Sequence, residues 1–134
     1  MILGVDVGNS NIVIGGIEGM EATIDAIEMA GMQSVGTFKT AQDRRDSGGI
    51  TIREVNGIRV AFIAFTKGMD NLGLPEGSRD CVNLLYTDYT TDYEDINQTE
   101  ILSILEAARE TNPDFIIAAL HWGSENISGI SSTQ

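Results

Sequence analysis

The chain holds a single cysteine, Cys81, and a single histidine, His121. A lone thiol excludes an internal disulfide and any thiolate metal cluster. Within the strand-like run Asp80-Cys81-Val82-Asn83-Leu84-Leu85, Cys81 reads as a small buried apolar residue rather than a nucleophile. Basic residues are also scarce: 8 Lys and Arg face 20 Asp and Glu, for a formal net charge of -12. A phosphate backbone or an anionic membrane surface repels such a chain, so nucleic acid is not an expected partner. A polyanionic substrate would need a bound cation to offset that field; a solvated acidic surface explains the same charge without any ligand. No apolar run approaches the ~20 residues of a spanning helix, and no export signal is visible. Any membrane attachment would come through segments absent from this chain.

What is present reads as a globular α/β chain. Its 134 residues suit one domain, residues 1–134, and a domain of this size buries roughly 70% of its unfolded surface. Fifteen glycines against two prolines fit many tight strand ends. Residues 2–7 and 12–14 are short strand candidates. From Ile17 the apolar period becomes three and four, through Met20, Ile24 and Ile27, which predicts an amphipathic helix capped by a left-handed Gly31. Glu18 and Glu21 then suit its first turn. Residues 33–37 read as a strand and 39–49 as a polar loop. Residues 50–55 and 58–65 read as a hairpin around Asn56-Gly57, whose two central positions must tolerate positive φ.

The remainder predicts a long irregular stretch over 66–97, with a turn at Leu74-Pro75-Glu76-Gly77 and a strand over 82–86. Asn97-Gln98-Thr99-Glu100 predicts a capping box, with Asn97 accepting from the Glu100 amide and Glu100 reaching back. It would open a helix whose inward stripe is Ile101, Leu102, Ile104, Leu105 and Ala108, stopped by Asn112-Pro113. The continuous apolar run 115–120 reads as a buried central strand leading into His121-Trp122-Gly123. The alternation of strands and helices places the chain in the α/β class.

Two resemblances bear on function. Asp6-Val7-Gly8-Asn9-Ser10-Asn11 is similar to the first phosphate motif of actin-like kinases, especially the type III pantothenate kinases. There a strand, a glycine turn and a second strand present backbone N–H groups to nucleotide phosphates. That reading asks for a second phosphate motif far downstream, and Asp46-Ser47-Gly48-Gly49-Ile50-Thr51 comes too early.

The second covers nearly the whole chain. Gly19-Met20-Glu21-Ala22-Thr23-Ile24-Asp25-Ala26, Ala30-Gly31-Met32, Val35-Gly36-Thr37, the run from Val55 to Thr66, and the run from Phe115 through His121-Trp122-Gly123-Ser124-Glu125 together resemble the bacterial capsule synthesis protein family (CapA or PGA_cap type). The resemblance implies a metallophosphatase-like layered sandwich, of which this chain would be the central part. It also implies a role in making poly-γ-glutamate or related capsules, at the cell surface or in a membrane-anchored extracellular protein. Such a fold uses a divalent ion (Mn, Zn or Fe) to activate water and clamp a phosphoryl group.

Carried over residue by residue, the family's Asn-Asn-His turn falls on Asn9, Ser10 and Asn11, with Ile14 where an Asp usually stands. The metal motif is therefore degenerate, since its histidine is missing. The surviving candidates are His121 and Asn11 as catalytic residues, and Asn9, His121 and Glu125 as metal ligands. If catalytic, the chain would be a metal-dependent hydrolase or transferase acting on an anionic polymer or phosphoester. The equally open reading of His121 and Trp122 is that they cap a strand. The missing ligands also leave room for a non-catalytic binding or assembly module. A sheet cut short exposes edges and apolar faces, so a homodimer or a completing partner chain is expected.

The cluster Asp88, Asp92, Glu94 and Asp95 lacks the alternating ligands and central glycine of a calcium loop. With Tyr86, Tyr89 and Tyr93 interleaved, it reads as a solvated loop packed by its aromatics. Arg44-Arg45 and Lys67 could meet an anionic substrate, although isolated surface charges usually do nothing specific.

Overall fold

The computed structural model describes residues 10–68 and 73–122, with side chains from Gly16 onward. The strand candidate at residues 2–7 lies outside that range. Asn56 and Gly57 adopt φ of 53° and 80°, the pair of positive values a two-residue hairpin turn needs. They join β1 (Thr51–Val55) to β2 (Ile58–Thr66) in antiparallel register, from Val55 opposite Ile58 out to Thr51 opposite Phe62. A third strand, β3 (Phe115–His121), runs parallel to β2 on its other side, from Val60 opposite Phe115 to Thr66 opposite His121. The sheet order is β1-β2-β3, and the domain is α/β.

Among the described residues three α-helices accompany the sheet: α1 (Ser10–Met29), α2 (Ala41–Ser47) and α3 (Gln98–Glu110). The predicted helix at Ile17 exists but begins earlier, at Ser10, so residues 12–14 are helical rather than a second strand. The helix breaks at Gly16, at φ 63° and ψ -156°, so Glu18 and Glu21 follow the break instead of occupying the first turn. Its end is as expected. Gly31 is left-handed at φ 74°; its N–H donates to the Glu28 carbonyl at 2.9 Å and that of Met32 to the Ile27 carbonyl at 3.0 Å. This is a Schellman cap.

Where a polar loop was expected, α2 forms. Thr40 Oγ1 accepts from the Asp43 N–H at 3.0 Å, and the Asp43 carboxylate accepts from the Thr40 N–H at 3.1 Å. Gly48, at φ 65°, closes the other end. None of its side chains is buried, so end capping and long-range polar contacts hold it in place of an apolar stripe. The expected strands at 33–37 and 82–86 reduce to single bridges, Thr37 with Val82, Thr66 with Leu84 and Tyr86 with Ile96.

Among the described residues two apolar clusters form the core. In the first, Ala61, Ile63 and Phe65 of β2 pack with Ile50, Leu85, Tyr86 and with Ile104 and Ala108 of α3. Ile101 and Leu105 pack against it, while Leu102, expected to face inward, is 54% exposed. The second joins Met20 and Ile24 of α1 to Cys81, Val82 and Leu84. Each fully buried large side chain contributes roughly 1.5–3 kcal/mol relative to exposure. Gly36 lets the 33–37 segment lie against β2, because a Cβ there would fall 2.6 Å from the Ala64 carbonyl oxygen.

A polar network ties α2 to α3. Asn83, fully buried, donates to the Gly49 carbonyl at 2.9 Å and accepts from Arg44 Nε at 2.8 Å. Arg44 also pairs with Glu100, which accepts from Arg79 at 3.2 Å and from Asn97 Nδ2 at 2.6 Å. The expected capping box is therefore absent: Asn97 makes no side-chain cap, because its amide is turned onto the Glu100 carboxylate.

The structure also corrects the reading of 115–120. β3 is exposed along nearly its whole length, with Phe115 61% and Ile117 48% accessible. Among the described residues no strand lies beyond it.

Candidate functional site

β2 and β3 are parallel, and their carboxyl ends are level. Such ends are where open α/β sheets place their ligands, because the loops leaving them diverge. The last register pair is Thr66 with His121. In a parallel pair, level residues project to the same side of the sheet, and Thr66 Oγ1 lies 3.1 Å from His121 Nδ1. The ring nitrogen Nε2 is left as the atom that Thr66 does not engage.

The hydroxyl is firmly placed. Thr66 is 3% exposed; its N–H donates to the Asn83 carbonyl at 3.1 Å and its carbonyl accepts from Leu85 at 2.8 Å. The Lys67 N–H donates to the His121 carbonyl at 2.8 Å, fixing the histidine backbone. Gly68 sits beside it at φ 119°, where a Cβ would come within 2.9 Å of the Tyr89 carbonyl oxygen. The Lys67 ammonium lies 5.8 Å from the centre of the Tyr93 ring, which meets Tyr86 edge-on at 5.9 Å. The edge thus carries an exposed imidazole, a buried hydroxyl behind it and a lysine on an aromatic platform.

Of the expected site residues, the structure describes His121 in full. Asn11 lies in the first stretch of α1, and Asn9 and Glu125 lie outside the described residues. Among the described residues no three His, Cys, Asp or Glu side chains gather to hold a metal ion. The strand of His121 is exposed rather than buried, so the imidazole borders solvent.

The other candidates resolve as structure. Arg44 is engaged by Glu100 and Asn83, and Arg45 donates to Gln42 at 2.9 Å. The groove of about 510 Å³ between α2 and α3, lined by Arg44, Gly49, Asn97, Glu100 and Ser103, does not include His121. Cys81 is buried; burial, with Asp80 nearby, pushes its thiol pKa up, which keeps it protonated and unreactive. The Asp88 carboxylate accepts backbone N–H groups from Glu94 at 2.9 Å and Asp95 at 3.1 Å. The acidic cluster is thus a self-closed loop. Sequence reasoning missed Thr66, although both apolar runs, 58–65 and 115–120, are followed by a polar residue that could have been aligned.

The class defined by these features is an α/β domain with a histidine at the carboxyl edge of a parallel strand pair. The chain belongs to the bacterial capsule synthesis protein family: the family model, PGA_cap, matches residues 2–134. Neither a curated protein nor a solved structure gives a significant match.

Proposed function

We propose that this domain serves the biosynthesis of a poly-γ-glutamate-type capsule at the cell surface, on a metallophosphatase-like core, with the carboxyl edge of β2 and β3 as its working edge. The observation that carries the reading is His121, held at the end of β3 by the 3.1 Å contact with Thr66 in a chain that the capsule synthesis family model covers. A neutral imidazole there takes a proton from an attacking water or hydroxyl. The imidazolium then returns it to the leaving oxygen of an ester, or nitrogen of an acyl centre. Lys67 is the nearby cation for an anionic polymer or phosphoester. Asn11 is the proposed accompanying catalytic residue. A divalent ion, were one held, would need Asn9 and Glu125 beside His121; no step is assigned to it.

The test is hydrolysis of a phosphodiester and of a γ-glutamyl amide, with and without added Mn²⁺ or Zn²⁺. His121→Ala should lower the rate about 10²–10⁴-fold, the usual share of a general acid–base. An unchanged rate would remove His121 from the chemistry.

A second reading, a non-catalytic binding or assembly module, is favoured by one observation. β3 exposes apolar side chains that a parallel sheet normally covers on both faces. A homodimer or a completing chain would cover them. Absence of both turnover and calorimetric Mn²⁺ or Zn²⁺ binding, with a concentration-dependent change in mass, would favour the module.

The kinase reading is not favoured. Its hairpin needs a strand after the glycine turn, and the chain is helical from Ser10.

A further inference from the structure

We infer that Asn56 is a site of spontaneous deamidation, with the Gly57 backbone nitrogen as the nucleophile. The inference is independent of the role proposed for His121. The Gly57 nitrogen attacks the Asn56 side-chain carbonyl carbon and gives up its proton to water. The Cγ–Nδ2 bond then breaks, and the amide nitrogen takes up a proton and leaves as ammonia. Water opens the resulting succinimide ring at one of its two carbonyls. Opening at Cγ gives aspartate. Opening at the backbone carbonyl gives isoaspartate, in which the chain runs through the side-chain carbons. Water is the only co-reactant, and no group changes oxidation state. The isoaspartyl product adds a backbone atom to a two-residue turn, and either product adds a carboxylate near Glu54.

The turn leaves both reacting groups accessible. Asn56-Gly57 is the only Asn-Gly pair in the chain, and both residues are exposed. Among the described residues neither the Gly57 N–H nor the Asn56 amide makes a hydrogen bond, because the ladder of β1 and β2 closes at Val55 and Ile58 on either side. Glycine has no side chain to screen its nitrogen, and nothing lies within 4 Å of where a Cβ would stand. The other asparagines with described side chains are held differently. Asn83 is fully buried, as is Leu84 after it, and its amide donates to the Gly49 carbonyl at 2.9 Å. Asn97 is buried too, and its amide donates to Glu100 at 2.6 Å. The nitrogen that follows it, of Gln98, already donates to the Ile96 carbonyl at 2.7 Å. Asn112 precedes Pro113, which has no N–H to lose. Of these four, Asn56 alone joins an open amide to an open nitrogen.

Trypsin cuts after Arg53 and Arg59 and so isolates Asn56 in a peptide of residues 54–59. The native wild-type chain is aged in mildly alkaline buffer, digested, and compared by mass spectrometry with an unaged digest. Peptide 54–59 should convert from amide to acid before Asn83, Asn97 or Asn112 does. Aspartate and isoaspartate forms should appear together on chromatography, with ammonia released in equal amount. The Asn56→Asp variant, which holds no amide at that position, should lose this first release of ammonia. A peptide 54–59 that stays amidated in the aged native chain overturns the inference, and needs no variant to fold. Earlier conversion of Asn83, Asn97 or Asn112 overturns it as well. So does aspartate without isoaspartate, since direct hydrolysis of the side chain would then replace attack by the Gly57 nitrogen.

Discussion

Replacing Gly36 with alanine tests how closely the 33–37 segment approaches the sheet. Gly36 has φ of 77°, and an added Cβ would lie 2.6 Å from the Ala64 carbonyl oxygen, 2.9 Å from its Cβ and 3.0 Å from its carbonyl carbon. Two costs follow. An L-residue in the left-handed region costs roughly 1–2 kcal/mol. The overlap falls on backbone and Cβ atoms of a central strand, and Ala64 is 1% exposed, so no flexible side chain can yield. Overpacking of that kind costs about 1–3 kcal/mol. Gly36→Ala should therefore destabilise the domain by roughly 2–5 kcal/mol, a large share of the roughly 5–15 kcal/mol that holds a domain folded.

Gly31→Ala is the matched control, since its φ is 74° and nothing lies within 4 Å of the added carbon. It incurs the backbone cost alone. Urea unfolding of both variants, followed by circular dichroism, measures the difference, which should be about 1–3 kcal/mol with no change in m-value. A difference below about 0.5 kcal/mol, the usual scatter of neutral substitutions, would refute the close packing of this segment on β2.

Glu100→Ala removes the acceptor shared by Arg44, Arg79 and Asn97 and leaves the Arg44 guanidinium, whose side chain is 17% exposed, with its Asn83 bond but without its carboxylate. The expected loss in urea is about 2–4 kcal/mol, below the full buried-pair cost because water reaches part of the group, whereas Arg79→Ala at the more exposed rim should cost under about 1 kcal/mol. Equal losses for the two would contradict the network. The Asp88 carboxyl is held below its ordinary pKa, first by the Glu94 N–H and then, against some desolvation, by that of Asp95. A folded-state pKa below the unfolded value makes the contribution present above about pH 3.9, and it is lost as pH falls through the folded value. A ¹³C titration of Asp88 should find its midpoint below about 3.9, and Asp88→Ala should speed amide exchange at Glu94 and Asp95; a midpoint at or above 3.9 would count against the loop geometry.

The parts of the fold legible in the sequence are those set by local chemistry. Asn56-Gly57 declares its turn because few residues tolerate two consecutive positive φ values, and Gly31 declares a helix end for the same reason. Thr40 and Asp43 carried a readable box as well, but α2 has no apolar stripe to announce a helix; Arg44 anchors it through Asn83 and Glu100, 39 and 56 residues away. Residues 12–14 misled because a short β-branched run suits a strand or a helix equally, and periodicity cannot separate the two at that length. Leu102 misled by spacing alone. It sits one residue beyond Ile101, about 100° around the helix, and the turn that points Ile104 and Ala108 at β2 carries it to solvent.

The site was half legible for a different reason. A histidine after a strand-length apolar run is visible in one dimension, but the hydroxyl it meets is 55 residues away and becomes its neighbour only through register. That register follows from matching the two runs. Pairing Val60 with Phe115 aligns Phe65 with Leu120, the last apolar residue of each run, and so brings the first polar residues, Thr66 and His121, level. A one-residue slip would send His121 opposite Phe65 or Lys67. In the first case its side chain would leave the hydroxyl for the opposite face. In the second, the Lys67 N–H could no longer reach the His121 carbonyl along the same ladder. The apolar packing of β2 on α3 thus does more than stabilise the sheet. By fixing where β2 ends, it fixes which side chain the imidazole meets, so a mutation that shifts the register would separate Thr66 from His121 without touching either residue.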